Sequence, residues 1–102
     1  MTTTPFDHPD TPAAIARALL AWLLTQLDHR DGTLRTLCAA DPHHAALWAA
    51  LPHGWRRKTG RAFNRLVRER RRGPGEPLVW CYNLPADRPH VHARYEVLPA
   101  RR

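Results

Sequence analysis

Between the turn residues Pro52-His53-Gly54 and the helix-breaking run Gly73-Pro74-Gly75 lies an 18-residue stretch, 55–72, whose apolar residues recur at helical spacing. At about 100° per residue, Trp55, Thr59, Ala62, Phe63, Leu66 and Val67 fall on one side of a helix. Arg57, Arg61, Asn64, Arg68 and Arg72 fall on the other, with Arg65 and Arg71 flanking them. A strand would scatter both sets over both faces, so the pattern requires a helix with one face in a core and a cationic face in water.

Within that segment only Glu69 opposes the basic side chains. Like charges one turn apart repel, and a bound polyanion relieves the repulsion. A solvated helix face is the plainer explanation of a charge run, but such faces commonly mix signs. Asn64 adds chemistry that phosphate binding does not need, because an amide pairs with adenine in the major groove as Arg does with guanine. Gly60 leaves the helix start open, since a mid-helix glycine costs about 1 kcal/mol relative to alanine. Either the helix starts at Gly54 and a backbone phosphate approaches Gly60 closely, or Thr59 is the N-cap. In the second case Arg61, Asn64, Arg65 and Arg68 read bases, while Arg56, Arg57 and Lys58 hold phosphates from the preceding turn.

The charge of the whole chain sharpens this. Sixteen Lys and Arg oppose nine Asp and Glu, a formal net of +7. Residues 1–50 carry three basic and five acidic side chains, a net of −2, whereas residues 51–102 carry thirteen and four, a net of +9. Confinement of the excess to one half suits a polyanionic partner better than general solubility. Fifteen of the sixteen basic residues are Arg, which favours forked contacts to phosphate or guanine; a GC-rich genome has the same effect for no structural reason.

At 102 residues and 43% hydrophobic content the chain suits one domain. The expected organisation is a flexible segment over 1–10, a domain over 11–98 and a basic tail over 99–102. Thr11-Pro12 supplies an N-cap and a proline at the first helical position, and Ile15, Leu19, Trp22, Leu23 and Leu27 follow at helical spacing. Leu20 and Leu24 lie on a different side of that helix, which predicts a central position or a dimer contact through them. The polar stretch Asp28-His29-Arg30-Asp31-Gly32 ends the helix. Thr33 caps a short helix with Leu34, Leu37 and Cys38, and Asp41-Pro42 repeats the cap-and-proline signature before Leu47, Trp48 and Leu51. After the basic helix, Leu78-Val79-Trp80-Cys81-Tyr82 reads as a strand. From His90 onward Val91, Ala93, Tyr95 and Val97 alternate with His92, Arg94 and Glu96 as a second, half-buried strand.

The expected fold is therefore mainly α with a small β-hairpin, three to four helices followed by two strands. That order, with the Gly-containing turn, Phe63-Asn64-Arg65-Leu66-Val67-Arg68 and a C-terminal hairpin, resembles a winged helix-turn-helix domain over roughly Thr11 to Leu98. The resemblance implies that the last helix enters the major groove and that the hairpin wing touches the DNA backbone or minor groove. It further implies a wing loop over 83–89 with Arg88 near its tip. The extra segment from Asp41 to Leu51 departs from a simple winged helix. With no second domain for a ligand, the implied roles are a small regulator of transcription, a replication accessory or a mobile-element factor.

Other chemistries have less support. Seven histidines and two cysteines show no C-x-x-C or H-x-x-x-H spacing, so no metal or other cofactor is expected, and Cys38 and Cys81 read as small buried residues. No Gly-rich phosphate loop, paired carboxylates or nucleophile motif points to an enzyme, leaving only a histidine nuclease at His90 or His92 as a thin alternative. The apolar run from Ala13 to Leu27 is too short and too polar to span a membrane, and no signal-peptide pattern opens the chain, so a cytoplasmic location is expected. Double-stranded DNA is the expected partner of a homodimer. The competing reading is a protein-interaction module, or a small ribonucleoprotein subunit, docking on an acidic partner or an RNA backbone; four tryptophans are many for this length. No aromatic pair placed for RNA stacking is evident from the sequence.

Overall fold

A computed structural model describes residues 11–83 and 92–100. They form an α+β domain of four helices and a three-stranded antiparallel sheet. In chain order these are α1 (Pro12–Leu24), β1 (Arg30–Thr33), α2 (Leu34–Ala39), α3 (Pro42–Ala49), α4 (Trp55–Glu69), β2 (Leu78–Cys81) and β3 (Arg94–Leu98).

Three helices start where short-range chemistry says they should. The Thr11 hydroxyl accepts the Ala14 N–H at 3.0 Å, with Pro12 in the first turn. Thr33 accepts from the Thr36 N–H at 3.2 Å, and the Asp41 carboxylate accepts from the His44 N–H at 3.0 Å. Each side chain satisfies one of the orphan donors of a helix start. α1 ends at Leu24 rather than Leu27, because the Thr25 hydroxyl and Gln26 amide turn back to donate to the Trp22 carbonyl at 2.6 and 3.2 Å. Leu27, placed on the core face by its spacing, is 80% exposed.

The two-stranded expectation is corrected here. Arg30–Thr33, read as part of a polar turn, is a strand that pairs with β3 in the register Arg30↔Val97 to Thr33↔Arg94. β2 pairs with the other side of β3, from Leu78↔Leu98 to Cys81↔Tyr95, so the sheet order is β1-β3-β2. Gly32 permits the turn from β1 into α2. Its φ of 150° is unfavourable for other residues, and a Cβ there would collide with the Thr36 hydroxyl.

The core lies between α1, α4 and the inner face of the sheet. Ile15, Leu19 and Leu23 of α1 meet Phe63 and Val67 of α4 and Val79, Tyr95 and Val97 of the sheet, while Leu34, Leu37 and Cys38 close one end. Burial pushes the Cys38 thiol up to about 12, so it packs as a small hydrophobe. Leu20 is also in the core, at 9% exposed, and Leu24 packs half-buried against it. Leu20 thus belongs to the core of its own chain, while Leu24 keeps part of its surface exposed. α3 is tied to α1 by stacking of His44 on Trp22, with ring centroids 3.7 Å apart.

Candidate nucleic-acid interface

α4 begins at Gly54, which has a φ of 81° and follows a turn closed by the Trp55 N–H on the Pro52 carbonyl at 3.0 Å. The alternative start at Thr59 is thereby excluded. Thr59 instead lies on the core face, fully buried, with no hydrogen-bond partner for its hydroxyl. Gly60 is half-buried, and nothing lies within 4 Å of where its Cβ would stand.

Because Thr59, Phe63 and Val67 mark the buried side, the outward side is defined by what lies opposite: Arg57, Lys58, Arg61, Arg65 and Arg68, all exposed. Among the described residues none of these five side chains makes a hydrogen bond or ion pair. Arg61, Asn64, Arg65, Arg68 and Glu69 line an open depression of about 490 Å³. Five cations without internal partners on one helix face create a potential that a polyanion would fill.

Two expected members of the outer stripe, Asn64 and Arg72, behave differently. Asn64 sits at the edge of the face, half-buried, and donates from Nδ2 to the Tyr95 hydroxyl at 2.9 Å. Tyr95 in turn packs edge-on against Phe63, centroids 4.9 Å apart, and burial pushes its phenol up to about 12. The Asn64 amide is thus engaged in holding α4 to β3. Arg72 is not on the helix, because the chain turns extended at Arg70. Arg70 and Arg72 donate to the Pro77 and Glu76 carbonyls at 3.0 and 2.7 Å, and the Gly73 N–H donates to the Glu76 carboxylate at 3.0 Å. This knot turns the chain toward β2, and Arg71 projects from it exposed. Arg56, at the first turn of α4, donates to the Ala49 carbonyl at 3.2 Å. Arg88 and His90 lie outside the described residues.

The outer face of the sheet carries a feature that the sequence reading missed. Trp80 of β2 and Tyr82, the first residue beyond it, stand two residues apart, 42% and 37% exposed, with centroids 6.0 Å apart. The Trp80 indole N–H donates to Glu96 at 2.8 Å, and the same carboxylate meets His29 at 2.7 Å. Those two hydrogen bonds, His29 first, hold the Glu96 carboxyl below its usual range. The Tyr82 hydroxyl donates to Asp31 at 2.8 Å and accepts from Arg94 Nε at 2.9 Å. The alternation in Leu78-Val79-Trp80-Cys81-Tyr82 was the available signal. The carboxylates that fix the rings come from β1 and β3, which no local pattern places beside them.

Among the described residues no three of His, Cys, Asp or Glu converge to hold a metal ion, and no helix is long and apolar enough to cross a membrane. Fold and surface together define a small α+β domain that presents one cationic helix face. No family model, curated protein or solved structure matches the chain.

Proposed function

We propose that this protein binds double-stranded DNA, laying the outward face of α4 in the major groove in the manner of a winged helix-turn-helix domain. The observation that carries the reading is the row Arg57, Lys58, Arg61, Arg65 and Arg68, exposed and without partners opposite a fully packed face. The turn before α4 and the antiparallel pairing of β2 with β3 after it support the winged arrangement.

With Asn64 bonded to Tyr95, base reading falls on Arg61, Arg65 and Arg68. At about 1.5 Å per residue their backbone positions span about 10 Å, or roughly three base pairs at 3.4 Å each. Arg pairs through both donors with guanine, so the site is expected to be rich in guanine over that length. Selection from random duplexes tests this, and recovery of no consensus would reduce α4 to a backbone binder.

Arg61→Ala and Arg68→Ala provide the direct test by titration of a duplex over a salt series. Each is expected to weaken binding, and each lost phosphate contact lowers the slope of log K against log salt by about 0.9. Removal of a base contact instead costs about 1–3 kcal/mol at the matched site alone. Affinity unchanged in both variants would remove α4 from the interface. A duplex RNA competitor of equal length tests the RNA alternative, since an A-form major groove is too narrow for side chains to read.

The protein-interaction reading is favoured by a different observation, the exposed Trp80–Tyr82 pair held rigid by Glu96 and Asp31. Exposed aromatics fixed in place are typical anchors of protein interfaces. Partners retained from nuclease-treated extract and lost in Trp80→Ala, together with absence of duplex binding, would establish that reading over the first.

A further inference from the structure

We infer that the cleft between α2, α3 and the start of α4 grips one backbone phosphate of the duplex, between Arg35 and Arg56. The inference rests on the DNA-binding reading and adds to it a contact outside α4.

The cleft has a volume of about 220 Å³ and is lined by Arg35, Ala39, Ala45, Trp48, Ala49 and Arg56. Its two charged lining residues are both arginines, brought from α2 and α4, helices separated by fifteen residues of chain, and no acidic residue is among the lining. Three alanines leave the space that a larger side chain would fill, over a floor formed by the nearly buried Trp48. Arg35 is exposed and makes no hydrogen bond or ion pair among the described residues. Arg56 donates to the Ala49 carbonyl through one terminal nitrogen, which fixes its guanidinium at the rim. An arginine carries five N–H donors, so most of those on Arg56 stay available for an anion.

Position makes a phosphate the fitting anion. α4 has fifteen residues and so extends about 22 Å, whereas the major groove is about 12 Å wide. A helix laid across the groove overruns it, and its end meets the sugar-phosphate wall. Arg56 is the second residue of α4, on the side of Thr59 rather than on the outward face, so the cleft stands at the N-terminal end of the cationic helix. Arg35 then supplies a phosphate contact from the half of the chain that is acidic overall. A carboxylate from a protein partner is the other anion of suitable shape.

The test uses Arg35→Ala and Arg35→Lys in the full chain, with thermal melting to confirm the fold, since Arg35 is exposed and outside the core. Binding of a random-sequence duplex is followed by fluorescence anisotropy over a salt series. Arg35→Ala is expected to weaken binding several-fold by the same factor on every duplex, and to lower the salt slope by about 0.9. Arg35→Lys is expected to keep the slope, because it keeps the charge. If wild-type protein binds duplex and Arg35→Ala binds with unchanged affinity and slope, the phosphate grip is overturned while α4 stands. Absence of duplex binding by the wild type overturns both. A poly-glutamate peptide that binds the wild type but not Arg35→Ala, with duplex binding unaffected, would assign the cleft to a protein carboxylate and likewise overturn the phosphate.

Discussion

Replacing Thr59 by valine tests the orientation of α4 from its buried side. Thr59 is fully buried in the first half of the helix, and its hydroxyl has no hydrogen-bond partner. In mutational data a hydroxyl withdrawn from water without a compensating bond costs roughly 1–3 kcal/mol. Valine keeps the volume and the β-branching, so packing and helix propensity hardly change. The variant is therefore expected to be more stable by about 1–2 kcal/mol, and its melting point to rise by roughly 4–8 °C for each kcal/mol in a domain of this size. Thr59→Ser keeps the hydroxyl and removes a methyl group, so it is expected to lose about 1 kcal/mol. Urea titration followed by tryptophan fluorescence reads both, and a changed midpoint at constant m assigns the effect to stability. Because Thr59 faces the core, DNA affinity is expected to be the same in all three proteins. A valine variant no more stable than wild type would mean that the hydroxyl is satisfied in solution, and the packing described for this face of α4 would be wrong.

Gly60→Ala is expected to raise stability by about 0.5–1 kcal/mol, since the added Cβ meets nothing and helix entropy favours alanine. Unchanged duplex affinity is expected with it; a clear loss would show that the DNA backbone closes on Gly60 and would move the interface toward that edge of α4. Hydrogen bonds from the His44 ring and then its backbone N–H hold the Asp41 carboxyl below its usual range. A depressed folded pKa contributes stability that is complete above the unfolded carboxylate value and is lost as pH falls through the folded one. Asp41→Asn keeps an acceptor for the helix cap but does not titrate. Urea midpoints of the two proteins should therefore differ at about pH 5 and converge well below pH 4; a constant difference would detach the effect from Asp41 ionisation.

What the sequence revealed follows from the range of the forces involved. Thr11-Pro12 and Asp41-Pro42 identified helix starts because a cap bonds an N–H three residues away. The turn before α4 and the alternation at Tyr95 and Val97 were equally local. β1 was not legible: Arg30-Asp31-Gly32-Thr33 contains no apolar side chain, and its pairing with β3 joins residues more than sixty positions apart. The exit of α4 at Glu69 was hidden for a similar reason, because its basic pattern runs on to Arg72 while Glu76 and Pro77 bend the backbone away. Arg35 stood in the acidic half of the chain, where no pattern linked it to Arg56. Its neighbour in space is decided by the packing of α2 on α3.

Asn64 shows how the two faces of α4 are connected. Helical spacing placed it among the outward cations, yet it stands at the border where α4 meets the sheet and bonds to Tyr95. Phe63, one residue earlier, packs edge-on against the same ring, so a polar and an apolar contact to one side chain on β3 fix the rotation of α4 about its axis. That rotation determines which side chains point outward. A turn of 100°, the step of a single residue, would exchange cationic for apolar positions along the face. The same β3 is the central strand of the sheet and begins where the segment linking it to β2 ends. The helix and the hairpin are therefore joined through one strand, so that in the proposed complex the placement of one restricts that of the other. Tyr95→Phe removes the hydroxyl and keeps the ring, so it separates this positioning from core packing. With α4 free to rock, binding to a selected guanine-rich site should weaken more than binding to random duplex, because base contacts depend on the angle of the helix more than phosphate contacts do.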